Sequence, residues 1–102
     1  MTGTMEVHFA ATVTTAPHFF VGSRTHAEHE EFDCRTDAGA TVRVIDNVAL
    51  APRVPVVPGD RVDVQGEEVH DRGRPTIVHW THHDPSHRHV DGFIVLNGRV
   101  YA

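Results

Sequence analysis

Cysteine is all but absent from this sequence. Cys34 stands alone, so no intrachain disulfide can staple the fold. Its place in an alternating stretch reads as a small buried apolar side chain. Long apolar runs are missing as well. None approaches the roughly 18 residues that a membrane span needs, so no membrane partner is expected. Residues 1–13 lack a basic segment followed by an apolar one, so no export leader is read there. The expected location is the cytoplasm, although an exported chain without its leader would look the same. Positive charge is in deficit, with 9 Lys and Arg against 14 Asp and Glu, for a net −5 with His neutral. An acidic surface releases no counterions from a polyanion, which argues against nucleic acid as a partner at neutral pH. The ten histidines would change that balance only in mild acid, near pH ~6. Aromatics are few (five Phe, one Trp, one Tyr), which leaves little surface for stacking bases or sugars.

Room for helices is lacking too. Pro17, Gly22, Gly39, Pro52, Pro55, Pro58, Gly59, Gly66, Gly73, Pro75, Pro85, Gly92 and Gly98 punctuate the chain at short intervals. That spacing suits short strands and tight turns. With 102 residues the chain fits a single domain, residues 1–102, with a modest core.

What remains is alternation. Residues 5–15 place Val7, Phe9, Ala11 and Val13 on one face, which predicts a half-buried strand. Residues 16–27 read as a loop, with Phe19 and Phe20 closing one end of the fold. Residues 29–36 and 40–46 form a hairpin, with Phe32, Cys34, Val42 and Val44 inward. Residues 47–57 are irregular because Pro52 and Pro55 forbid a helix. A strand runs from Arg61 to Glu67 and another over residues 75–82. Residues 83–91 make a polar loop. Residues 93–96 and 99–101 close a hairpin about Asn97-Gly98, a pair suited to the positive φ angles of a two-residue turn. The fold class is all-β, a small five- to six-stranded barrel of the oligonucleotide/oligosaccharide-binding (OB) type with a C-terminal β-hairpin. Periodicity alone equally allows a small sandwich.

Chemistry concentrates in His79-Trp80-Thr81-His82-His83-Asp84-Pro85-Ser86-His87-Arg88-His89, which holds five of the ten histidines. Three readings stand side by side. Neutral imidazoles are common ligands of transition metals. On a continuous strand His79 and His82 would face opposite ways, so both could ligate one ion only if the strand ended between them. A His–Asp pair could instead do acid–base work, with His79, His82 or His89 beside Asp84, and His79 and Asp84 are the candidate catalytic groups. The loop could also be structural, since Asp84-Pro85 is a common turn initiator. Trp80 reads as a core residue. The run His26 to Glu31 reads as a solvated charged face, apart from His29.

The stretch Ile77 to His89, with Asp91-Gly92-Phe93 after it, resembles a bacterial family known as domain of unknown function 3465. Gly22-Ser23-Arg24, His29-Glu30-Glu31-Phe32, Asp46-Asn47, Leu50-Ala51-Pro52-Arg53, Gly59-Asp60 and Tyr101 share in the resemblance, which spans roughly residues 7–101. It implies an OB-like barrel and brings no reaction with it. It also implies that His29, Asn47, His79, His82, Asp84 and His89 gather in one site.

His82, His83 and His89 are the expected metal ligands, for a divalent transition metal such as zinc. His29 and Asn47 are expected to bind a cofactor or ligand. The partner is a small polar or anionic molecule. The leading function is a metal-binding domain, extending to a metal-dependent hydrolase of phosphodiesters or a similar polar substrate. Its rivals are a non-catalytic oligonucleotide- or sugar-binding module and a structural, partner-binding protein.

Overall fold

The computed structural model describes residues 3–102, with side chains described from Met5 onward; residues 1 and 2 of the expected domain lie outside it. Eight strands run in order: β1 (Gly3–Val13), β2 (His18–Val21), β3 (Glu28–Thr36), β4 (Thr41–Asn47), β5 (Arg61–His70), β6 (Thr76–His79), β7 (Phe93–Leu96) and β8 (Arg99–Tyr101). Among the described residues no helix is long and apolar enough to cross a membrane.

Five strands close on themselves in the order β1-β3-β4-β6-β5, and β5 returns to β1. All contacts in this circuit are antiparallel except β4 with β6, which is parallel. Closure removes the free edges that an open sheet of this size would expose. The result is the OB-like barrel expected from the order of strands and turns.

Long strands make the closure possible by serving two neighbours. On one edge β1 pairs with β5 from Gly3 to Thr12; on the other, Ala11–Val13 pair with β3. β5 pairs with β7 through Val62–Gln65 and with β6 through Glu67–Val69. Glu67 and Glu68 therefore lie within β5, which runs past its expected end. β7 and β8 form the C-terminal hairpin, and Asn97 and Gly98 carry φ angles of 52° and 77°, as the turn requires.

The stretch 16–27 is not all loop. Where β1 leaves β3, the edge of Glu28–Glu31 would be bare, and β2 occupies it. Pro17 and Gly22 bracket this four-residue strand. Phe19 and Phe20 lie on it rather than closing the barrel. Phe20 stacks between His18 and His29, while Arg53 lies over Phe19 at 4.5 Å.

Inside the barrel sit Ala11, Val13, Phe32, Cys34, Val42, Val44, Val62, Val64, Val78, Ile94 and Leu96. Each is the inward member of an alternating pair, and full burial of a Val, Ile, Leu or Phe contributes about 1.5–3 kcal/mol. Burial pushes the Cys34 thiol up to about 12, so it behaves as an inert core side chain. The connector between β4 and β5 folds inward at Ala51, Val54 and Val56 and seals one side.

One expectation fails inside this core. Glu30, expected on a solvated face with its charged neighbours, is fully buried. The alternation of β3 decides the matter: Glu30 shares its face with Phe32 and Cys34, and its neighbours His29 and Glu31 face the other way. Asp46, directly across on β4, is equally buried.

Candidate functional site

β6 ends at His79, three residues earlier than the pattern suggests. Trp80 takes a φ of +55°, a left-handed conformation that a bulky side chain rarely adopts. This bend breaks the strand period between His79 and His82. The condition for the two imidazoles to share a site is thereby met, and both line one cleft of about 370 Å³.

The opposite wall comes from the β3–β4 hairpin. His29 and Asn47 are direct cross-strand partners, and Ile45 shares their outward face. Arg24 and Thr25 from the β2–β3 loop and Leu50 from the connector complete the lining. The structure thus brings together His29, Asn47, His79 and His82, with Trp80 among them.

Backbone contacts fix two of these rings. The Nδ1 of His29 lies 2.9 Å from the Ala27 carbonyl oxygen, and that of His82 lies 2.7 Å from the His83 carbonyl oxygen. A carbonyl oxygen only accepts, so Nδ1–H must donate in both. In the neutral ring Nε2 then carries the free lone pair, the state in which imidazoles accept hydrogen bonds or ligate metals. For His79, burial holds the imidazole below its ordinary value; the Glu67 charge opposes this, and His89 and His82 add to it.

The other candidates lie elsewhere. His89 stacks on Trp80, with ring centroids 3.9 Å apart, and its Nδ1 donates to Glu67. It faces a separate groove of about 300 Å³, lined also by Met5, Gln65, Gly66, Glu67 and Arg88. His83 is exposed and pairs with Asp91 at 2.9 Å, near His87. Among the described residues no three His, Cys, Asp or Glu side chains converge so as to hold a metal ion.

Asp84 shapes the loop. Its carboxylate accepts from the backbone N–H groups of Ser86, Arg88 and His89 and from the Ser86 hydroxyl, at 2.7–3.0 Å. These donors, the Ser86 hydroxyl foremost, hold it well below the usual carboxylate range. Such a group is a poor proton acceptor at neutral pH. The loop is pinned back by Gly92, whose N–H donates to the His82 carbonyl at 2.9 Å. A Cβ on Gly92 would lie 2.0 Å from the Trp80 carbonyl oxygen.

Sequence reasoning missed Arg24, Thr25, Ile45 and Leu50 as cleft residues. Ile45 was readable, since alternation puts it opposite Val44. Arg24 and Thr25 follow Gly22 in a loop whose path only the β2 pairing defines. Trp80, expected in the core, is half-buried in the cleft wall.

No curated protein and no solved structure matches the chain. One family model does, over residues 12–102, and its description is "Protein of unknown function". The histidine-rich segment and the β3–β4 wall fall within that span, as does the barrel apart from residues 3–11 of β1, and the protein belongs to this family, DUF3465.

Proposed function

We propose that the protein is a binding domain whose cleft takes a small hydroxylated anion of the sugar-phosphate kind. One observation carries this reading. In a chain of net charge −5, the cleft lining contains no carboxylate among the described residues and contains Arg24, Asn47 and three imidazoles. Arg24 suits an anionic group. The Nε2 lone pairs of His29 and His82 suit hydroxyl donors, and Asn47 can serve either sense. Ile45, Leu50 and Trp80 give an apolar wall for a ring. With a net charge of −5 on the chain, a small anion suits the cleft better than a long polyanion.

Calorimetry with ribose 5-phosphate tests the proposal. Binding that weakens about tenfold on Arg24→Ala, the loss of one charge-assisted contact, is the expected result. No heat from ribose 5-phosphate or from inorganic phosphate at millimolar concentration would overturn it.

A second reading rests on the anchored tautomers. Nδ1–H held by backbone carbonyls is also the outer-shell arrangement of metal-bound histidines. His82 would supply such an Nε2 donor to a zinc-like ion, with His79 beside it in the cleft. Such an ion would activate water for phosphodiester hydrolysis. Zn²⁺ titration of untagged protein separates the two: stoichiometric uptake favours the metal.

A further inference from the structure

Glu30 and Asp46 face each other directly across β3 and β4, and both are fully buried in the barrel. Directly opposed residues on one face of an antiparallel pair hold their Cβ atoms about 4.5–5.5 Å apart, well within reach of two carboxyl groups.

Oε1 of Glu30 accepts the Val54 N–H at 2.8 Å. Oδ1 of Asp46 accepts the Thr81 hydroxyl at 3.2 Å. Glu30 Oε2 and Asp46 Oδ2 are buried without a hydrogen-bond partner. A buried polar atom left unpaired is destabilising, and two facing carboxylates would add their repulsion. The charged groups acting on the pair are few. Arg53 of the connector pulls on Glu30, but its guanidinium is exposed and bonded to Glu28; Glu30 itself acts on Asp46; Thr81 brings no charge. One proton between the two orphaned oxygens would satisfy both and leave one negative charge where there would be two.

We propose that Glu30 and Asp46 share a single proton across the β3–β4 ladder, and that this proton latches Thr81 and the cleft wall beside it to the barrel. The electrostatics agree. Burial is the main cause that raises both groups, and Asp46 is pushed up to about 7, with Glu30 adding to the effect.

The coupling runs through one short segment. The Thr81 hydroxyl bonds both Asp46 and the Ile45 carbonyl. Its chain neighbours Trp80 and His82 line the cleft, and Ile45 lines the opposite wall. Loss of the proton leaves two buried charges that must find water. The segments to give way are those bonded to the pair, at Val54 and at Thr81. Opening at Thr81 releases Trp80 and His82 together. This holds whether or not the cleft takes a sugar phosphate.

Trp80 is the only tryptophan, so its emission reports on the latch directly. The test follows the assigned side-chain carboxyl ¹³C shifts of Glu30 and Asp46 and the Trp80 fluorescence, from about pH 5 to about pH 9. The expected result is one proton leaving the pair near neutrality, with a Trp80 step at the same midpoint. Asp46→Asn can donate to Glu30 and accept from Thr81, and it should abolish that step. Histidine titrations near Trp80 would survive the substitution and are told apart by it. Carboxyl shifts showing both groups ionised at about pH 5 would overturn the proposal. So would a step that persists in Asp46→Asn, or carboxyl deprotonation that leaves Trp80 unmoved. Should Asp46→Asn fail to fold, Glu30→Gln serves in its place, and the wild-type carboxyl shifts decide the shared proton alone.

Discussion

Trp80 and His89 lie face to face, with planes 19° from parallel and centroids 3.9 Å apart. The same indole has His82 at 5.5 Å and His79 at 6.0 Å between ring centroids. One aromatic side chain therefore organises three of the five clustered histidines, and the left-handed bend at its own backbone makes that possible. Trp80→Ala should cost about 2 kcal/mol, somewhat less than truncation of a fully buried aromatic. Trp80→Gly should be more stable than Trp80→Ala by about 1 kcal/mol, because glycine adopts the positive φ without strain. Urea unfolding of the two variants checks the order, which is the reverse of that in ordinary strands.

The close approach at Gly92 gives a second prediction. A methyl group there meets the Trp80 carbonyl oxygen at 2.0 Å and the Gln65 carbonyl oxygen at 2.6 Å. Both are backbone atoms and cannot swing aside. Gly92→Ala should cost at least about 3 kcal/mol or prevent folding. Thermal unfolding measures it, and a near-neutral variant would mean that the loop crosses β5 less tightly.

The buried pair sets the mildly acidic-to-neutral side of the stability profile. Asp46 is raised in the fold from 3.8 to about 7. A group raised on folding contributes stability that is fully present below its unfolded value and lost as pH rises through its folded one. Between those limits stability should fall by up to about 1.4 kcal/mol per pH unit for the one proton involved. Asp84 acts in the opposite sense. Its folded value is depressed, so its contribution is present above 3.8 and is lost as pH falls. Urea midpoints across the pH range should therefore show a maximum in mild acid. Asp46→Asn should flatten the upper limb and Asp84→Asn the lower.

Asp84 also predicts a local effect. Asp84→Ala removes the acceptor for the N–H groups of Ser86, Arg88 and His89. The melting temperature should fall by roughly 10 °C, and amide exchange should quicken across residues 84–89 more than in β5. Uniform exchange would place the stabilising role elsewhere.

Much of the fold was legible because the barrel is written in period-two alternation and turn chemistry. Val42 and Val44, Phe32 and Cys34, and the Asn97-Gly98 turn all follow from local rules. β2 was not legible, since its four residues are held by the edge of β3 that β1 leaves bare, a fact of topology. Glu30 misled because its charge outweighed its position in the alternation. The site was half legible. His29, Asn47, His79 and His82 converge, while His83 turns to Asp91 and His89 to Glu67. The separation depends on the bend at Trp80, and no local pattern places a left-handed tryptophan at the end of a strand.

The most direct test of the cleft is the long-range ¹H–¹⁵N spectrum of the imidazoles, recorded with and without ribose 5-phosphate. The account predicts Nδ1–H tautomers in the neutral rings of His29 and His82, and Nε2 shifts that move together for His29, His79 and His82 while His83 and His87 stay still. Nε2–H tautomers for His29 and His82, or shifts confined to the exposed His83–His87 loop, would contradict it.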